Sequence, residues 1–264
     1  MLCNNDINNF LGSISELEAK TRNDILCVVK MIHSFAMTFG CSSNAHMDLI
    51  CVRIPHKQMR VLSVEEQAMF SNYLMTNMDL YKLATYLVLC TGIKIGELCA
   101  LKRKNISFEN NLIHIGATMQ RIQTDETERK TTVTVTEPKS LCSIRDIPIT
   151  DPLVSFLKSY CFNMHDEAYI LTGDSVHFVE PAMIRYHFGK QIKACCLENV
   201  KFHTLRHSFA TRCVEAGVDI KTLSEILGHE NVNITLNRYV HSSMDLKRKS
   251  MEKLFYSTAY SLSI

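Results

Sequence analysis

HTLRHSFATRCVEAGVDIKTLSEILGHENVNITLNRY, residues 203–239, is the stretch from which the rest of the chain is read. His203 and Arg206 are three residues apart, so on a helix they share a face and can address the same oxygens, while His207 and Phe209 point elsewhere. Gly228 permits a left-handed turn that a Cβ would resist, and such a turn can swing His229 back toward the pair. Tyr239, ten residues after His229, supplies an oxygen nucleophile. A phenol beside an arginine and two histidines fits attack on a phosphodiester, because charge developing at phosphorus needs fixed donors around it.

The order H-x-x-R, then L-G-H, then a tyrosine about ten residues on resembles the catalytic C-terminus of the tyrosine recombinase, or phage integrase, family, with all four positions filled. Upstream, TGIKIGELCALKRKNIS at 91–107 resembles that family's first catalytic box, a Thr-Gly turn leading to a helix that starts with Arg and carries Glu or Asp three residues later. Gly92, Glu97, Leu98, Leu101 and the closing basic run match, but position 94 is lysine. An arginine fork holds two phosphate oxygens at once, whereas lysine brings one compact, strongly hydrated charge. Losing one charged hydrogen bond costs roughly 1.5–3 kcal/mol, so strand cleavage is expected to be slowed or abolished with phosphate binding largely kept.

The resemblance implies a DNA breaking-rejoining catalytic fold and a metal-free, cofactor-free transesterification. Tyr239 would attack the scissile phosphate to give a 3′-phosphotyrosyl link. Lys94 and Arg206 would hold nonbridging oxygens, His203 would assist proton removal or bond an oxygen, and His229 would donate a hydrogen bond. EPKSLCSIRDIPI at 137–149 resembles the family's β-hairpin, whose lysine protonates the departing 5′ oxygen, and Lys139 is the matching residue. Glu97 is expected to brace the first box, Arg145 to serve the fold or a backbone contact, and His207 to pack or to support a neighbouring site residue. Lys102, Arg103 and Lys104 are the candidate DNA-backbone contacts.

The remaining segments give a mainly α chain with a small antiparallel β-sheet, an α+β class. Ile25, Val28, Val29, Ile32, Phe35, Ala36 and Phe39 recur at helical spacing and Gly40 stops the run, which predicts an amphipathic helix. Residues 41–60 read as a linker broken by Pro55. Ser63 with Glu66 forms a capping pattern that opens a helix over 64–75, and further helices are predicted over 79–90, 151–160, 181–195 and 242–255. Between residues 108 and 150 the short runs around Ile113, Met119, Val133 and Ile147 predict a sheet of three strands or so. By resemblance, 1–57 is a partial helical core-binding domain with its linker, and 58–264 is the catalytic domain.

With 264 residues and 46% hydrophobic content the chain can bury one substantial core. No apolar segment approaches about 18 residues and no secretory pattern opens the sequence, so a cytoplasmic protein with no membrane partner is expected. Eleven cysteines without C-x-x-C spacing read as reduced thiols. A net charge of +2 neither requires nor excludes nucleic acid, so local clusters decide. The expected partner is duplex DNA, with self-association on it and no small-molecule cofactor. The expected activity is site-specific recombination or integration. A catalytically weak or inactive DNA-binding relative and a type IB topoisomerase draw on the same residues. A metal hydrolase fits worst, because His229-Glu230 has no second histidine at H-E-x-x-H spacing.

Overall fold

The computed structural model describes residues 2–55, 59–124, 131–138 and 140–239, together with 248, 251, 252, 254 and 255. The chain divides into two compact units, Met1–Gln58 and Met59–Ile264. None of the described helices is long and apolar enough to cross a membrane.

The first unit holds α1 (Asn4–Ser13) and α2 (Ala19–Thr38). Its small core joins Ile7 and Leu26 to Met47 and Ile50, so the segment read as a linker contributes two of the four buried apolar side chains. The apolar spacing on α2 does produce a helix, but the face it predicts is largely uncovered. Val28, Ile32, Phe35 and Phe39 are exposed, and Leu26, outside the predicted set, is the buried position. Periodicity reports which residues lie on one side of a helix; it cannot report whether another element lies against that side.

The second unit begins with α3 (Val64–Met75), capped as its sequence predicts: Ser63 Oγ accepts from the Glu66 amide at 3.1 Å, and Glu66 Oε2 accepts from the Ser63 amide at 2.8 Å. α4 (Leu80–Thr91) is buried along most of its length through Leu83, Ala84, Leu87 and Val88, and Gly92 ends it at φ 66° in the left-handed region. α5 (Ile95–Ala100) follows at once. Then come β1 (Ile106–Ser107), β2 (Leu112–Ile115), β3 (Thr118–Gln123), β4 (Thr131–Thr136) and β5 (Arg145–Pro148). These strands form a three-stranded antiparallel sheet in the order β1-β2-β5 and a separate β3-β4 pair, where the sequence predicted one sheet. Ile113 faces Ile147 in the first sheet and buries it against the helices, while the second runs from Thr118 opposite Thr136 to Gln123 opposite Thr131.

α6 (Asp151–Tyr160) and α7 (Pro181–Ala194) start with Pro in the first turn or at its edge, where a missing N–H costs nothing. α8 (Phe202–Glu215), α9 (Ile220–Leu227) and α10 (Val232–Tyr239) complete the described fold. α4 packs against α3, α7 and α8, with Phe70, Leu74, Leu83, Leu87 and Leu205 at no measurable exposure. A buried bond from Thr85 Oγ1 to Gln191 Oε1 at 2.7 Å joins α4 to α7. The helix predicted over 242–255 lies mostly outside the described residues.

One close approach fixes α5 against β3. A Cβ on Gly96 would sit 2.6 Å from Thr118 Oγ1 and 2.7 Å from the Met119 carbonyl oxygen, and a backbone oxygen in a paired strand has nowhere to go. Gly96→Ala is therefore expected to destabilise the second unit by about 2–3 kcal/mol through overpacking, read as a lowered urea midpoint. An unchanged midpoint would show that the strand yields.

Candidate active site

The site is assembled on the C-terminal turn of α9. Gly228, at φ 62°, ends that helix and leaves its last carbonyls without helical partners. Three successive carbonyls there are met by three different cations. The Ile226 oxygen accepts from Arg145 Nε at 2.6 Å, the Leu227 oxygen from Arg206 Nη2 at 2.5 Å, and the Gly228 oxygen from Lys94 Nζ at 3.5 Å. The negative end of a helix favours cations, which is the local reason these side chains converge.

Arg206 is the most enclosed of the three, with 1% of its surface exposed. Its Nη1 donates to the Gly92 carbonyl at 2.7 Å, so it also caps the end of α4. Burial, against the opposing charge of Glu97, pushes its pKa down to about 10, which leaves it cationic at neutral pH. Its Nη2 lies 3.1 Å from His229 Nε2. A guanidinium can only donate, so that nitrogen accepts, and the ring proton resides on Nδ1, which donates to Thr235 Oγ1 at 2.8 Å. Burial, followed by the charges of Arg206, Arg238, Lys94 and Arg145, drives the His229 pKa to about 3.

Lys94 sits at the N-cap of α5, half-exposed, with Nζ 3.5 Å from Ser143 Oγ and 3.5 Å from Glu97 Oε1. Desolvation lowers its pKa. Glu97 is almost wholly buried and accepts the Lys94 amide at 2.9 Å together with both ends of the Arg145 fork, at 3.0 and 2.9 Å. Burial acts to raise the Glu97 pKa, but Arg145 and Lys94 outweigh it and the net displacement is downward. Arg145 also donates to the Ser143 carbonyl at 3.0 Å, so one side chain ties α5, the approach to β5 and the end of α9. A Cβ on Gly228 would fall 2.8 Å from Arg145 Nη1, which adds a packing reason for glycine to the conformational one.

His203 is exposed one turn before Arg206, and its ring meets that of His207 edge-on with centroids 4.4 Å apart. Desolvation and then Arg206, Arg238 and Lys94 lower its pKa. His203 and Arg206 both line an open cleft that also presents Arg185 of α7. Tyr239 is 7% exposed and packs with Ala210, Leu223 and Leu227. Its hydroxyl lies 2.8 Å from His207 Nδ1, and burial raises the phenol pKa.

The structure therefore brings Lys94, Glu97, Arg206 and His229 together, sets His203 beside them, and turns Tyr239 toward His207. Lys139 lies outside the described residues. Lys102, Arg103 and Lys104 are engaged elsewhere: Lys102 and Lys104 bond Glu167 at 3.0 and 2.6 Å, and the Arg103 guanidinium lies 4.5 Å over the Phe108 ring. Two partners were not singled out by spacing. His207, read as packing or supporting a site residue, holds the phenol, and Thr235, not singled out at all, holds His229; the available signal was that Thr235 precedes Tyr239 by one helical turn, on the same face. Among the described residues no three His, Cys, Asp or Glu side chains converge as metal ligands would.

Comparison with known proteins matches residues 70–245 to the phage integrase family. A tyrosine recombinase XerC-like protein of Caldanaerobacter subterraneus subsp. tengcongensis is 30% identical over 180 residues, 62% of this chain and 46% of that protein. Tyrosine recombinase XerA of Thermococcus onnurineus is 25% identical over 240 residues, 89% of this chain and 77% of that one. The chain thus spans about half the length of the first of these relatives. Among solved structures, the Tn1549 transposon integrase in complex with a circular intermediate DNA superposes with a TM-score of 0.78 at 23% identity, covering 96% of this chain and 85% of that one. At that identity the likeness concerns the fold.

The two depressed imidazoles carry a pH signature. His207 is pushed to about 4, by burial and then by His203, Arg238 and Arg206, and His229 to about 3, both below an unfolded value near 6.5. The unfolded chain binds more protons between those limits, so the stability they contribute is present above about pH 6.5 and drains as pH falls toward 4. Between pH 7 and 5 the pair should cost about 2 kcal/mol after allowance for partial exposure. Urea titrations should show this slope flattened in a His207→Gln, His229→Gln double variant; an equal slope in both proteins refutes the assignment.

Proposed function

The chain belongs to the phage integrase family, and on that premise we propose that it is a site-specific recombinase or integrase that cuts and rejoins duplex DNA through a 3′-phosphotyrosyl intermediate. The observation that carries this reading is the convergence of Lys94, Arg206 and His229 on one helix end, with Tyr239 on the helix that follows. A phosphate seated there would meet the cations of Arg206 and Lys94 already in place, the condition under which electrostatic stabilisation of a phosphoryl transition state is largest.

The roles follow from position. Arg206 would donate its uncommitted N–H groups to a nonbridging oxygen and Lys94 would add a point charge beside it. His203, exposed one turn earlier, would bond an oxygen or assist loss of the phenol proton. Tyr239 Oη attacks phosphorus, the P–O5′ bond breaks, and the departing 5′ oxygen takes a proton, the part we assign to Lys139. Glu97 stays off the DNA and holds Arg145 and the Lys94 backbone. Lys102 and Lys104 would reach phosphates by exchanging Glu167 for them. The first unit is read as part of a core-binding domain, and copies of the chain are expected to associate on the DNA. Phosphate contacts of this kind position a protein without naming a sequence, so affinity should fall steeply with salt.

A second reading, a DNA-binding relative with weak or no cleavage, is favoured by one pair of observations: lysine at position 94 and a Tyr239 hydroxyl held inside on His207. Nicked suicide duplexes built from DNA flanking the coding region separate the two. The first reading expects a covalent adduct mapped by mass spectrometry to Tyr239 and lost in Tyr239→Phe with duplex binding retained. An adduct on Tyr256 or Tyr260 defeats the assignment, and binding with no adduct at all selects the second reading. Lys94→Arg should raise the adduct rate by about tenfold, the worth of one charged bond, and equal rates would show that lysine suffices.

A further inference from the structure

His229 has two incompatible tasks if the cleavage reading holds. In the structure its Nε2 faces Arg206, a donor, and must be bare; beside a phosphate oxygen the same nitrogen would face an acceptor and must carry hydrogen. The surroundings penalise a charged ring, since burial and the charges of Arg206, Arg238, Lys94 and Arg145 all act against it. The economical change is therefore one of tautomer: the ring, itself part-exposed, gains a proton at Nε2 and loses one from Nδ1 by exchange with solvent when the Thr235 contact opens, and net charge is unaltered.

That exchange inverts what Nδ1 requires of its neighbour. Before it, Nδ1–H needs an acceptor; after it, a bare Nδ1 needs a donor. The neighbour is Thr235 Oγ1 at 2.8 Å, and Thr235 has no exposed surface, so water cannot substitute for it. A carboxylate there would only accept and would pin the proton on Nδ1, and an apolar residue would leave Nδ1 unpaired at the cost of a buried polar group. A hydroxyl rotates and does both.

We propose that Thr235 is a positioning residue whose hydroxyl keeps Nδ1 of His229 bonded in either tautomer, so that Nε2 accepts from Arg206 in the empty site and donates to a phosphate oxygen in the loaded one. This rests on the cleavage reading, and its test separates the two. Long-range proton–nitrogen NMR of histidine-labelled protein, with His229 assigned by His229→Gln, should show hydrogen on Nδ1 in the free protein and in Thr235→Ser. Thr235→Val, of the same shape, should keep hydrogen on Nδ1 while the site is empty, because Arg206 still faces Nε2, but should not shift it to Nε2 when a phosphate oxygen is bound. On the suicide duplex Thr235→Val should form adduct about tenfold more slowly at saturating DNA with affinity within about twofold, and Thr235→Ser should recover most of the rate. Hydrogen on Nε2 in the free wild-type protein, a shift of hydrogen to Nε2 in loaded Thr235→Val equal to that of wild type, or wild-type cleavage by Thr235→Val overturns the proposal. Should the wild-type protein form no adduct, the cleavage reading falls. Thr235 is then judged on the ring alone, with inorganic phosphate as the probe expected to move hydrogen to Nε2 in wild-type but not in Thr235→Val.

Discussion

Arg206 is the constraint on which the second unit is arranged. A nearly fully buried guanidinium is costly to desolvate, and it persists because both terminal nitrogens donate to carbonyls at helix ends, Gly92 after α4 and Leu227 at the close of α9, while other N–H groups stay uncommitted. Each of those ends requires a residue in the left-handed region, and glycine stands at both, at positions 92 and 228. Helix termini, glycine turns and cation thus form one unit. Removing the guanidinium would strand two carbonyls, while removing either turn would leave a buried charge without its acceptors. The tightness of the arrangement is visible at Gly92, where a Cβ would come within 2.4 Å of the Phe209 ring.

Around that anchor the charges do not balance. Among the described residues, Lys94, Arg145 and Arg206 share a single buried carboxylate, Glu97, and most of its capacity is taken by the Arg145 fork and the Lys94 amide. The surplus is positive, and Lys94, Arg206, His203 and His229 are all displaced downward, by desolvation first and by mutual repulsion after it, with Glu97 opposing the shift at Lys94 and Arg206. An arrangement of this kind is stabilised by any anion that enters it, which supplies physical content to the word binding before a substrate is named. It also explains why Glu97 behaves as a brace. Its oxygens are already engaged with cations of the protein, so it sets where the cations stand without cancelling all of them.

The sequence carried the site better than it carried the surroundings. H-x-x-R, the glycine before His229 and the capping pattern at Ser63 are local statements, because each depends on backbone geometry within a few residues, and each has its counterpart in the structure. Thr235 and the second role of His207 depend on which helix lies across from which, and a single residue of a common type gives no periodic signal of that. Gly96 is similar: its reason is the Met119 carbonyl of a strand more than twenty residues away. The apolar stripe on α2 shows the opposite failure, a clear local pattern whose tertiary partner cannot be inferred from spacing. For 102–104, a run of positive charge reads as an offered surface until Glu167 is found between two of its members.

The two imidazole bonds of α10 finally set the energetics of Tyr239, the residue proposed as nucleophile. Thr235 and Tyr239, one turn apart, attach the helix to His229 and His207, so the contacts that seat α10 in the core also hold the phenol away from solvent. Withdrawing Tyr239 costs about 1 kcal/mol for its hydrogen bond and about 2–3 kcal/mol for the apolar part of its ring. At that total roughly one molecule in several hundred has the phenol free at rest. A neutral phenol paired with a neutral imidazole is a poor nucleophile, and burial raises its pKa further. The contribution of Arg206 runs the other way, since its charge lowers the phenol pKa. The same cation that organises the fold therefore favours the ionised tyrosine, and the balance between burial and that charge decides how readily Tyr239 can act.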